Sequence, residues 1–267
     1  MSDAVPSDVP RPADGPRLLI LGGTSEASVL ARRLVERGGL SVTTSLAGRT
    51  TAPAKLEGEV RIGGYGGTDG LARFLVDEGF DLLVDATHPF ASVMRWHAVE
   101  AAASTGVPTI RLERPEWAPV DGDDWRMVES LDAAAGALGE FGRVFLTTGR
   151  LELEPFERCR STWFLIRSID PPERMPLNNA KVVLARPPFS IDDELQTLFR
   201  HRIEAIVTKN SGGEATAAKL AAARQLDVPV VMVERPPATG GPLVRTVEEA
   251  IDWIDALLDG QASSTPG

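Results

Sequence analysis

From Arg17 onward, short apolar, β-branched runs alternate with stretches of helical periodicity, and this alternation limits the chain to few folds. The runs are 18–21 (LLIL), 41–45 (SVTTS), 59–63 (EVRIG), 81–86 (DLLVDA) and 107–112 (VPTIRL). A second series follows at 143–147 (RVFLT), 163–167 (WFLIR), 181–186 (KVVLAR), 203–208 (IEAIVT) and 229–234 (PVVMVE). Between them Ala27, Leu30, Ala31, Leu34 and Val35 fall at i, i+3, i+4, i+7 and i+8, one stripe facing a sheet. Val247, Ala250, Ile251, Ile254 and Leu258 form a similar stripe near the C-terminus.

Strands that alternate with helices make parallel sheets covered on both faces. Two series of five strands predict an α/β chain of two Rossmann-like, doubly wound parallel-sheet domains with an interdomain cleft. The stretch 113–125, rich in Pro, Asp and Trp, is the expected seam. The expected limits are a tail at 1–16, a cofactor domain at 17–114, a substrate domain at 115–259 and a tail at 260–267. A (β/α)₈ barrel is the alternative, disfavoured by the 113–125 break and by unequal strand spacing.

Composition removes several function classes. The net charge of −10, with no basic run, argues against general affinity for nucleic acid. The single cysteine, Cys159, excludes an internal disulfide, and three scattered histidines supply no zinc motif, so no metal site is expected. No segment approaches the roughly 18 apolar residues of a membrane span. The first sixteen residues lack the apolar core of a signal peptide, and a cytoplasmic monomer is expected.

In open α/β sheets ligands bind beyond the carboxyl ends of the strands. The loops there are GGTSE (22–26), SLAGRT (45–50), GGYGGTD (63–69) and DATHPFA (85–91) in the first half, and TTGR (147–150), ARPPF (185–189) and TKNSGGE (208–214) in the second. All are small, polar or glycine-rich, whereas DEGF (77–80) and QLDVP (225–229) at the opposite ends read as plain turns.

In 22–27 Gly22 supplies a tight turn and Ala27 close helix packing, but Thr24 stands where a dinucleotide fingerprint has its second glycine. The loop therefore fits either a phosphate cradle, with the Thr24 hydroxyl and helix N–H groups as donors, or an ordinary turn in which Ser25 caps the helix and Glu26 meets its dipole. An NAD site usually places an acid after the second strand. No acid occurs between Leu40 and Leu56, and Ser45, Arg49 and Thr50 suit a 2′-phosphate instead, which points to NADP. His88 sits where it can contact a ligand or pass a proton, though Asp85, Thr87 and His88 also fit packing and capping roles. Lys209, Asn210, Ser211, Gly212 and Gly213 combine a point charge with a backbone nest suited to a carboxylate or phosphate. Arg150 and Arg186 stand just past strand ends.

These loops together resemble the precorrin-6A reductases of cobalamin biosynthesis, on GGTSEA (22–27), TSLAGRT (44–50), GGYGG (63–67), DATHPFA (85–91), TTGR (147–150), TKNSGG (208–213) and VVMVERP (230–236) in that order. Pro187 departs from the pattern, which has glycine there. The resemblance implies NADPH-dependent reduction of one ring double bond of precorrin-6A, an anionic tetrapyrrole, to precorrin-6B. It implies cofactor contacts at Gly22, Gly23, Thr24, Ser25, Glu26, Ser45, Arg49, Thr50, Gly63, Gly64, Tyr65, Thr87 and His88. Substrate contacts are expected at Arg150, Arg186, Lys209, Asn210, Ser211, Gly212 and Gly213, with Lys209 and His88 as candidate catalytic residues.

Three other readings compete. A short-chain dehydrogenase fails, because Asp69 stands four places after the only tyrosine, Tyr65, where lysine is needed. A non-catalytic NADP-binding module leaves the second-half loops without a purpose. A cobalt-containing precorrin-6A is the alternative substrate.

Overall fold

The computed structural model describes residues 15–48 and 56–262, the last two by their backbone. They form two compact units: the described residues through Glu113 together with those from Thr239 onward, and Arg114–Ala238.

The first unit begins with β1 (Arg17–Leu21), α1 (Ser25–Arg37), β2 (Ser41–Leu46), β3 (Glu59–Ile62), α2 (Thr68–Asp77), β4 (Leu82–Asp85), α3 (Ser92–Thr105) and β5 (Thr109–Leu112). The second contains β6 (Trp125–Val128), α4 (Leu131–Gly136), β7 (Arg143–Leu146), β8 (Trp163–Ser168), β9 (Ala180–Leu184), α5 (Ile191–His201), β10 (Ala205–Lys209), α6 (Ala218–Gln225) and β11 (Val230–Val233), with short 3₁₀ turns at Glu154–Arg158 and Glu214–Thr216. The chain then rejoins the first unit with β12 (Leu243–Val244) and α7 (Val247–Ala262).

Both sheets are parallel and six-stranded, in the orders β3-β2-β1-β4-β5-β12 and β9-β8-β7-β10-β11-β6. Each has the doubly wound 3-2-1-4-5 arrangement plus an edge strand, and its winding reverses between β1 and β4 or between β7 and β10. The open sheets exclude the barrel.

The apolar run of β1 follows from this layering. Leu18 and Ile20 pack with Leu30, Ala31 and Leu34 of α1 and with Ala250 and Ile254 of α7, all buried. Leu19 and Leu21 face the opposite layer, with Leu71, Leu75, Ala98 and Ala101 of α2 and α3. A strand covered on both sides needs no polar alternation. In the second sheet Phe145, Leu165, Ile206 and Met232 pack against Leu198 of α5 and Leu220 and Ala223 of α6.

Two expected limits are corrected. Residues 239–259 belong to the first unit, because β12 pairs with β5 and α7 covers α1, so the second unit ends at Ala238. Residues 260–262 continue α7 and are not tail. No helix among the described residues is long and apolar enough to cross a membrane.

Candidate active-site loops

In the first unit the sequence-selected residues collect at the carboxyl ends of β1, β2, β3 and β4. Gly22 donates its N–H to the Ser45 carbonyl (2.9 Å), and a Cβ added there would meet the Thr44 methyl at 2.9 Å. Gly22 is thus needed for close packing of the β1 turn on β2. Gly23 differs: its φ is +116°, it is exposed, and a Cβ would meet nothing within 4 Å. That conformation suits glycine and leaves the backbone open to a ligand.

Thr24, not Ser25, caps α1. Its Oγ1 accepts the Ala27 N–H (3.2 Å) and donates to the Ala86 carbonyl (2.8 Å), so the hydroxyl proton expected for a phosphate is already engaged. Ser25 is the first helical residue, exposed, with its hydroxyl donating to the Glu26 carboxylate at 3.1 Å. Its N–H has no partner within the helix by position.

Next to this turn, Ser45 is buried at the end of β2. Arg49 and Thr50 lie outside the described residues. In β3, Arg61 donates to the carbonyls of Gly63 (2.7 Å) and Gly64 (2.8 Å) in the loop that follows and lies 4.0 Å from the Tyr65 ring centroid. Arg61 escaped the sequence reading because it belongs to a strand rather than a loop. The Tyr65 hydroxyl is buried with no hydrogen-bond partner, and burial pushes its phenol pKa up against the opposing effects of Ser45 and Arg61. Neither Gly63 nor Gly64 has atoms within 4 Å of an added Cβ.

The DATHPFA loop rests on buried charge. One Asp85 oxygen accepts the Thr87 N–H (3.0 Å) and hydroxyl (2.7 Å), and the other pairs with Arg111. Arg111 also donates to Glu113 (2.8 Å), and Arg95 lies 3.6 Å from the same carboxylate while donating to the Pro89 carbonyl (2.9 Å). All four charged residues are at most 9% exposed. Burial pushes the Arg95 pKa down. Asp85 and Thr87 therefore shape the loop from within. His88 is half-buried, and its Nδ1 accepts the Phe90 N–H at 3.3 Å, so a neutral ring carries its proton on Nε2.

In the second unit the selected residues follow β7, β9 and β10. The Thr148 hydroxyl is buried without a hydrogen-bond partner, and Gly149 has φ +95°. Arg150 donates to the Pro171 carbonyl (3.1 Å) and lies 3.6 Å from Glu173, whereas Arg186 is exposed. Lys209 pairs with Glu152, a partner that no sequence spacing announces.

At 208–213 the two glycines are closely packed. A Cβ on Gly212 would sit 2.0 Å from the Pro115 carbonyl oxygen, and one on Gly213 would sit 2.8 Å from Arg114 Cδ. The Asn210 side chain accepts the Trp117 N–H (2.9 Å) and donates to the Trp117 carbonyl (3.1 Å). Arg114 Nε donates to the Ser211 carbonyl (2.7 Å), and the Trp117 indole to that of Gly213 (3.0 Å). Arg235, absent from the sequence selection, donates to the carbonyls of Asn210 (2.8 Å), Arg114 (3.0 Å) and Pro115 (3.2 Å). Close packing on 114–117 explains these glycines and fixes the loop that carries Lys209.

Comparison with known proteins gives a consistent match. The family model described as precorrin-6x reductase CbiJ/CobK matches residues 17–255. A precorrin-6A reductase of Rhodococcus erythropolis is 46% identical over 245 residues, covering 90% of this chain and 98% of the relative. One from a Sinorhizobium species is 49% identical over 242 residues, covering 90% and 92%. A solved structure of a CobK precorrin-6A reductase superposes with a TM-score of 0.87 at 42% identity, covering 90% of this chain and 96% of that one.

Proposed function

The chain belongs to the precorrin-6x reductase family CbiJ/CobK, and from that premise we propose that it reduces one ring double bond of precorrin-6A with NADPH, giving precorrin-6B in cobalamin biosynthesis. The carrying observation is the turn at the winding reversal of the first sheet, where Gly23 holds an open, positive-φ backbone at the start of α1. The metal-free substrate is preferred over its cobalt complex because the relatives at 46% and 49% identity are named for it.

The first-unit residues suit a dinucleotide. Gly23, Gly63 and Gly64 leave backbone unobstructed, the buried Tyr65 hydroxyl lacks a partner, and the first N–H groups of α1 favour an anion. Arg49 and Thr50, in a stretch without acids, supply charge and a hydroxyl to a 2′-phosphate. Bound NADPH supplies the hydride.

The protein's own part is to hold and orient. Thr24 and Asp85 fix the loops that border the cofactor, and Thr87 keeps His88 in place through Asp85. Lys209, Arg150 and Arg186 pair with carboxylates of the macrocycle, while Asn210, Ser211, Gly212 and Gly213 keep the lysine loop in one conformation. Reduction adds a hydride to one carbon of the double bond and a proton to its neighbour. His88 Nε2 and Lys209 Nζ are the candidate proton donors, and water restores the proton afterwards. Much of the acceleration then comes from proximity of two held reactants. Anaerobic turnover of precorrin-6A with NADPH tests the proposal.

A further inference from the structure

Beneath the 208–217 loop lies a buried charged group that the proposed reaction does not use. Lys219, in the first turn of α6, is only 2% exposed. Its Nζ donates to the Thr216 carbonyl at 2.7 Å and sits 4.4 Å from the centroid of the Trp117 ring. The same tryptophan holds Gly213 through its indole N–H and Asn210 through its backbone. A single ammonium therefore touches the loop at its far end and, through Trp117, at two points nearer Lys209.

We propose that Lys219 is a positioning residue: fastened between the Thr216 carbonyl and the Trp117 ring, it sets the conformation in which the 208–217 loop presents Lys209 to an anionic macrocycle. This rests on reading 208–213 as a substrate loop.

The surroundings make the tie depend on pH. The charged groups acting on Lys219 are Arg167 of β8, Glu194 of α5 and Arg114 of the 114–117 segment. Arg167 Nη2 lies 2.8 Å from Glu194 Oε1 but out of hydrogen-bond alignment, so neither oxygen of this fully buried carboxylate accepts a hydrogen bond. Burial, first, and the two arginines lower the Lys219 pKa to about 7, with Glu194 opposing them. Below that value the side chain is a cation and attracts the Trp117 face; above it the cation–π attraction is gone. A lysine whose pKa falls on folding costs the fold stability at neutral pH, since the unfolded chain holds the proton more tightly. Stability alone thus gives no reason for a lysine here, and its contacts with the loop do.

Hydrogen–deuterium exchange of the 211–217 amides, corrected for intrinsic rates, tests the proposal without any substrate. In the wild type, protection falls by roughly three- to tenfold from one pH unit below to one above the Lys219 midpoint. Lys219→Arg, which stays charged, keeps protection high and flat across that window, and Lys219→Met keeps it low and flat. With substrate, Lys219→Met raises the KM for precorrin-6A more than it lowers kcat and leaves the NADPH Kd unchanged. Wild-type protection that is flat in pH, or a KM unchanged in the methionine variant, overturns the proposal. If the methionine variant does not fold, the comparison of wild type with Lys219→Arg decides. A wild type that fails to reduce precorrin-6A defeats the functional reading, while the exchange data still judge Lys219.

Discussion

The Thr24 hydroxyl donates to the Ala86 carbonyl across 2.8 Å, tying the turn after β1 to the loop after β4 at the point where the first sheet reverses its winding. The side chain that breaks the usual glycine fingerprint thus joins the two loops that border the proposed cofactor site, while also capping α1 through Ala27.

Thr24→Ala removes the cap and leaves the Ala86 carbonyl without this partner. Loss of an N-cap costs about 0.5–2 kcal/mol, and the orphaned carbonyl adds about 1 kcal/mol more. Urea denaturation is expected to show a loss in this combined range for the alanine variant and a much smaller one for Thr24→Ser, which keeps the hydroxyl. Equal losses in both would mean that the hydroxyl holds neither contact.

The Asp85–Arg111–Glu113 network makes a second prediction. Arg111→Met leaves two buried carboxylates without their main partner, and breaking a buried pair in this way costs about 3–5 kcal/mol. Arg111→Lys restores charge but not the fork that bridges Asp85 and Glu113, so it recovers only part of the loss. Denaturant midpoints measure both; a methionine variant as stable as the wild type would show the network to be dispensable.

Tyr65 is the only tyrosine in the chain, so phenolate absorbance follows one group. Its folded-state pKa is raised above 10.0 because burial disfavours the phenolate. Stability contributed by the neutral phenol is present below the unfolded pKa and lost as pH rises through the folded value. Spectroscopic titration should give a midpoint above 10.0 in the folded protein, returning to the ordinary value in denaturant. NADPH bound over Tyr65 should delay the titration further.

Much of this fold is legible in the chain. Each of the ten apolar runs overlaps a strand, and for the inner strands the reason is that a strand covered on both faces needs an unbroken hydrophobic stretch. The missed strands, β6 and β12, lie at sheet edges, and none of their residues is buried. The other two edge strands, β3 and β9, are equally unburied but each carries two β-branched residues, Val60 and Ile62 or Val182 and Val183, whereas β6 and β12 carry one each. The return of β12 and α7 to the first unit is equally hidden, since the α7 stripe shows an apolar face but not which sheet it covers. At the site, the loops were legible from their glycines and their strand-end positions. The contacts that shape them were not: Asn210 meets Trp117 across 93 residues, and Arg235 reaches Pro115 across 120. Polar pairings so remote in sequence have no periodicity to reveal them.

Arg49→Ala tests the choice of cofactor. The missing acid between Leu40 and Leu56 motivates it, and a charge-assisted hydrogen bond to a 2′-phosphate contributes about 1.5–3 kcal/mol. Fluorescence titration should show NADPH affinity falling by roughly 10- to 100-fold with NADH affinity nearly unchanged. Equal losses for the two nucleotides would remove Arg49 from phosphate recognition.

The most direct measurement is anaerobic incubation of the protein with precorrin-6A and NADPH, following nicotinamide oxidation and the pigment spectrum together. One NADPH is expected to disappear for each macrocycle converted to its dihydro form, with the metal-free substrate used in preference to its cobalt complex. Stoichiometric NADPH binding with no change in either pigment would contradict the account and leave the chain a nucleotide-binding protein without this reaction.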